Sequence, residues 1–126
     1  MTEEQARELL KSKAGQGGAP GSEYNRRRAL LNTMYKAYNN QPPEWQEYLR
    51  LLLERDKLTR ADDNLRDNFT ETHNAFVLRY LTPGTAMHPT RVADQFSVDV
   101  RTVYSWFNKT LDRLMICAFG LDGLKM

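Results

Sequence analysis

Residues Arg91–Leu114 read RVADQFSVDVRTVYSWFNKTLDRL. A short amphipathic pattern stops at Ser97 and a longer one starts within three residues. Two helices joined by a tight turn cross at roughly 90–120°, so only certain positions share the small core between them. In a twenty-residue frame from Pro89, the fourth, eighth, tenth, fifteenth and eighteenth positions should be buried. They are Val92, Phe96, Val98, Val103 and Trp106, all apolar. The fifth position lies close to the second helix and needs a small side chain; it is Ala93. The ninth favours glycine because the chain turns there with unusual dihedrals; here it is Ser97. Thr90 is the expected cap of the first helix, and Asp99 or Ser97 that of the second. The pattern predicts a C-terminal helix-turn-helix whose second helix spans 100–114. A plain αα-hairpin would also give apolar periodicity. It would not require Ala93, the break, or the polar outer face that follows.

That outer face carries Arg101, Thr102, Ser105, Asn108, Lys109 and Arg113. Arg101, Ser105 and Asn108 recur at i, i+4 and i+7 and project together. A recognition helix reads bases with its early residues; Arg grips guanine bidentately and Asn grips adenine. Lys109 and Arg113, further on, and Arg91 beside the first helix suit phosphates, which position a protein without specifying sequence. Thr102 suits the same role. Tyr104 is either a contact to a thymine methyl or phosphate, or a packed ring. For each basic residue the alternative is a solvated surface charge.

Upstream, residues 2–13 predict a short helix with Ala6, Leu9 and Leu10 on one side, marginal in isolation. SKAGQGGAPGS (12–22) reads as a flexible linker. Residues 1–21 are thus expected to be a flexible N-terminal arm. Ser22 is the expected cap of a helix over 23–39 bearing Tyr24, Leu31, Tyr35 and Tyr38, stopped by NNQPP. Pro43 opens a helix to Lys57 with Trp45, Leu49 and Leu52 on one face, widened by Leu51, Leu53 and Leu58. Such a wide stripe predicts burial against another chain or against helix 23–39, so residues 22–58 are assigned to oligomerisation or partner contact. A weaker helical stretch covers 61–69, Thr70 is the expected cap of the next helix, and 82–89 is a loop. Residues 59–126 form the expected DNA-binding domain. The class is all-α: a small helical bundle.

FVLRYL, followed by TRVADQFSVDVRTVYSWFNKTLDRLMICAFG, resembles the C-terminal DNA-binding domain of sigma factors. Among these it is most similar to phage regulators of the RinA and ArpU type. The shared features are Arg79-Tyr80 before the loop, Arg101 to Trp106 at the recognition start, and Phe119-Gly120 at the end, over residues 69–120. The resemblance implies a phage or prophage activator of late transcription. The alternatives are a phage packaging or replication-initiation protein using the same motif, or a helical interaction module without DNA binding.

The chain has 126 residues, 40% hydrophobic and 27% charged, with a net charge of +2. That fits one soluble domain with a modest core. Residues 1–40 carry 7 basic and 4 acidic groups, 41–78 carry 5 and 8, and 79–126 carry 6 and 4. Basic ends around an acidic middle permit nucleic-acid binding without demanding it. No apolar run approaches the roughly 20 residues of a membrane helix, and the charged N-terminus lacks a signal-peptide stretch. The expectation is a cytoplasmic protein. A lone Cys117 excludes an internal disulfide and reads as a small buried residue. His73 and His88 lack metal-ligand spacing, and GQGG lacks the rest of a phosphate-binding loop. Adjacent Asp62 and Asp63 point apart on a helix. No enzyme, metal or cofactor is expected. The expected partners are double-stranded DNA, with RNA polymerase and a second copy as candidates for the upstream helices.

Overall fold

Apolar residues spaced four apart bring even the first turns of the chain into the core. A computed structural model describes residues 1–16, 23–59, 69–84 and 86–120. These form six α-helices: α1 (Glu3–Gln16), α2 (Glu23–Lys36), α3 (Pro43–Thr59), α4 (Phe69–Tyr80), α5 (Pro89–Phe96) and α6 (Val100–Phe119). The all-α class is as expected. Residues 17–22, with the expected Ser22 cap, and the helical stretch 61–68 lie outside the described residues.

Residues 1–13 differ from the expected arm. Ala6, Leu10 and Ala14 form one buried stripe along α1, packed mainly against α2. The Arg7 Nε donates to the Ala118 carbonyl at 2.8 Å, tying α1 to the end of α6. Arg55 of α3 pairs with Glu3. A helix marginal on its own is held by burial of its apolar face, the usual source of helix stability in proteins. The helix also runs through Ala14 and Gly15 to Gln16, into what reads locally as linker.

The stripe on α3 is covered from within. Trp45, Leu49 and Leu52 are buried in the same cluster as Leu31, Tyr35, Phe76 and Leu114. The Tyr35 hydroxyl donates to the Leu49 carbonyl at 2.8 Å, so this buried polar group is satisfied. Leu51 and Leu58 remain exposed. The core draws on all six helices, so the expected divisions near 21 and 58 are not boundaries in packing.

Local chemistry sets the other ends. Pro43 occupies the first turn of α3, where its missing N–H costs nothing. After α2 a 3-10 turn, Tyr38–Asn40, places Asn39 so that its amide donates to the Thr82 and Gly84 carbonyls at 2.8 and 2.7 Å. That anchors the loop after α4. Gly84 has a φ of 101°, which suits the Pro83-Gly84 turn. Thr70, expected as a cap, lies inside the first turn of α4. No helix among the described residues is long and apolar enough to cross a membrane.

The longest helix, α6, packs on α2, α3, α4 and α5. In its last two turns Leu114, Met115, Ala118 and Phe119 are buried, while Ile116 is exposed. Replacing fully buried Leu10 by Ala should lower unfolding free energy by about 2–5 kcal/mol, the range for a cavity in a packed core. Urea unfolding followed by circular dichroism checks this. An unchanged midpoint would mean that α1 adds nothing to the core.

Candidate nucleic-acid interface

The turn between α5 and α6 is built from backbone demands. Pro89 opens α5, and the N-cap is His88, whose Nδ1 accepts from the Thr90 N–H at 3.2 Å. Thr90, the expected cap, is the capped residue instead. Ser97 closes α5 at φ 55°, ψ 44° and is the one described non-glycine residue with positive φ. The Val98 N–H then reaches back to the Ala93 carbonyl at 3.1 Å, a backward bond of the kind that ends helices with a left-handed residue. Asp99 starts α6, its Oδ1 accepting from the Arg101 N–H at 2.8 Å. The position where glycine is favoured thus has the left-handed conformation expected of it.

Val92, Ala93 and Val103 are buried as the frame requires. Phe96, Val98 and Trp106 are only half-buried. The Phe96 and Trp106 rings meet edge to face at 5.9 Å, forming an outer seam rather than the centre. Phe107 takes the inner place, near the rings of Phe76 and Tyr80 at 6.4 and 6.0 Å. The Arg79 guanidinium lies 4.8 Å from the Tyr80 ring and 4.7 Å from that of Phe107. Cation–π attraction of this sort contributes more where the cation is partly desolvated. Arg79, noted in sequence only through the family resemblance, therefore packs against the middle of α6 at Phe107.

The sequence-predicted residues divide into three groups. Arg91, Arg101, Ser105 and Lys109 are exposed, and Thr102 is half-buried. Arg101 is 89% exposed at its side chain and pairs with Asp99 at 3.2 Å. Hydrogen bonds from the Arg101 side chain and backbone hold the Asp99 carboxyl below its usual range. An exposed pair of this kind contributes little stability. Tyr104 is 47% exposed, with its ring 6.4 Å from Phe107, so one edge is packed and the other open.

Asn108 is also exposed but engaged. Its Oδ1 accepts from the Arg28 Nη2 at 3.0 Å. The Arg28 Nε donates to the Asp112 carboxylate at 2.9 Å, and the Tyr24 hydroxyl donates to the same oxygen at 3.0 Å. Arg28 stands on α2, 80 residues from Asn108 in sequence. Only the basic run NRRR at 25–28 hinted at it. It neutralises the acid that would face an incoming polyanion from the middle of α6.

Arg113 is the third case, and a correction. It is not on the outer face. Its Nε donates to both Asp56 oxygens at 3.1 and 3.0 Å, its Nη2 reaches the Thr110 hydroxyl at 3.2 Å, and its guanidinium sits 4.9 Å from the Phe69 ring. The two side chains are 18% and 3% exposed. This is a largely buried ion pair joining α3 to α6, and an arginine so held is not free for phosphate.

No protein-family model, curated protein or solved structure matches the chain.

Removing one partner of a buried pair strands the other charge, a loss of about 3–5 kcal/mol. Asp56→Ala and Arg113→Ala should each lower stability by that order, read from denaturant midpoints. If Arg113→Ala unfolds at the wild-type midpoint, the pair contributes nothing.

Proposed function

We propose that the protein is a sequence-specific DNA-binding regulator of transcription, of the phage or prophage late-gene type, and that the first half of α6 enters the major groove. One observation carries this reading. Beyond the left-handed Ser97, α6 keeps Val103 and Phe107 in the core while Arg101, Ser105, Asn108 and Lys109 stand exposed along the other side.

The chemistry of these groups sets their roles. Arg101, paired with Asp99, is suited to the O6 and N7 acceptors of guanine. Ser105, a turn later, serves as donor or acceptor. A guanidinium has no acceptor atoms, so it must engage the oxygen of Asn108 and leaves the amide NH2 for another acceptor. Asn108 then presents chiefly a donor, for guanine acceptors or the O4 of thymine, rather than the two-way grip on adenine expected from sequence. Lys109, Thr102 and Arg91 suit phosphates. Arg28 also stands beside the face, its charge engaged by Asp112 rather than open to phosphate.

Selection of bound duplexes from a random pool would supply a site. On that site Arg101→Ala should cost about 1–3 kcal/mol and relax preference at one base position. Lys109→Ala should weaken specific and random duplexes alike and reduce the salt slope by about one. Recovery of no consensus, or two folded variants that bind every duplex as wild type does, would remove α6 as a reading helix.

A further inference from the structure

A second open surface with exposed apolar side chains lies away from the α5–α6 turn. Along α1 lies an open depression of about 830 Å³, lined by Met1, Leu9, Glu4, Glu8 and Glu44 with Thr2 and Gln5. A second hollow shares Met1 and Glu44 and continues along α3 past Glu47 to Leu51. Met1, Leu9 and Leu51 are 47%, 46% and 37% exposed. Single exposed leucines are ordinary; adjoining ones in a continuous depression mark an interaction surface.

The rim identifies the occupant. Acidic residues in a first helical turn are favoured by the helix dipole, which accounts for Glu4 and Glu44. The dipole effect fades within that turn, so it does not account for Glu8 and Glu47 one turn further on. Glu8 has only a long contact to Lys11, at 3.9 Å. Among the described residues no cation lies within ion-pair distance of Glu4, Glu44 or Glu47. Exposed apolar side chains among Glu4, Glu8, Glu44 and Glu47, of which only Glu8 meets a cation among the described residues, select a ligand with the opposite pattern: an apolar stripe flanked by Lys or Arg. A helix supplies this with anchors at i, i+3, i+4 and i+7. Nucleic acid and anionic lipid would be repelled.

We propose that the α1–α3 face docks a basic amphipathic helix of a partner protein. This is independent of DNA reading, since it uses neither α5 nor α6. The test uses the full chain and, as probe, a fluorescent Leu/Lys peptide of about 18 residues, five helical turns, with its leucines on one face. A peptide of the same composition in scrambled order is the comparison. Anisotropy at physiological salt should show clear preference for the amphipathic peptide. Leu9→Gln, and separately Glu4→Gln with Glu44→Gln, should each weaken it roughly tenfold, while Leu58→Gln, at a 76% exposed leucine outside the groove, should not. Circular dichroism confirms that each variant is folded. Equal binding of the scrambled peptide, or equal loss in Leu58→Gln, would reduce the effect to general charge attraction and overturn the proposal. So would a wild-type dimer in sedimentation that Leu9→Gln dissociates, which would assign the face to a second copy.

Discussion

One helix has to satisfy two surroundings, and the arrangement of the others follows from that. The C-terminal half of α6 is the more deeply packed: Leu111, Leu114, Met115, Ala118 and Phe119 are almost wholly out of water, while Asp112 and Ile116 stay exposed. The N-terminal half is enclosed on one side only, by Val103 and Phe107. Because a helix is stiff, whatever fixes its far end also aims its near end. The Asp56–Arg113 pair, the Arg7 bond to Ala118 and the Arg79 stack on Phe107 act at three points along it. The N-terminal helices are thus part of the support of α6 and not an appendage to it.

The turn before α6 was the most legible feature, because its constraints are local. A small residue at 93, apolar residues at 92 and 103 and a left-handed position at 97 are demands of neighbouring backbone, and they leave a pattern within a dozen residues. The seam was less legible. Trp106 and Phe107 are adjacent and both apolar, and which one turns inward depends on Phe76 and Tyr80 of α4, far upstream in sequence. The docking of α1 was obscured for a different reason. Its glycine-rich continuation looks like a linker, while Ala6, Leu10 and Ala14 are too few to predict burial without knowing what they meet. Tertiary packing overrides a weak local signal in such cases.

Charges were the least legible group. On a helical wheel Arg113 resembles Lys109: each is a basic residue on the polar side of the same helix. Their fates differ because Asp56 of α3 stands beside one and, among the described residues, no carboxylate pairs with the other. No spacing rule reaches across 57 residues. Burial of Arg113 carries a desolvation penalty, offset by two carboxylate contacts, the Thr110 hydroxyl and the Phe69 ring. Such a complete set of partners distinguishes a structural cation from an available one.

Arg28 shows how the same logic applies at the surface. Asp112 lies on the exposed side of α6, one turn beyond Asn108, where an unneutralised carboxylate would oppose any polyanion approaching that side. Arg28 removes much of that opposition with a 2.9 Å contact, and its Nη2 donates to the Asn108 Oδ1 at 3.0 Å. A single side chain from α2 therefore sets both the electrostatic sign of the middle of α6 and the hydrogen-bonding character of one of its exposed residues. In the proposed DNA-reading role, a change at Arg28 would alter base preference without Arg28 touching a base: freed of its partner, the Asn108 amide could offer both oxygen and nitrogen, and Asp112 would regain its full charge. The two consequences have opposite signs, wider hydrogen-bonding choice against stronger repulsion. The repulsion is screened by salt and the hydrogen-bonding choice is not, so ionic strength is the variable that separates them.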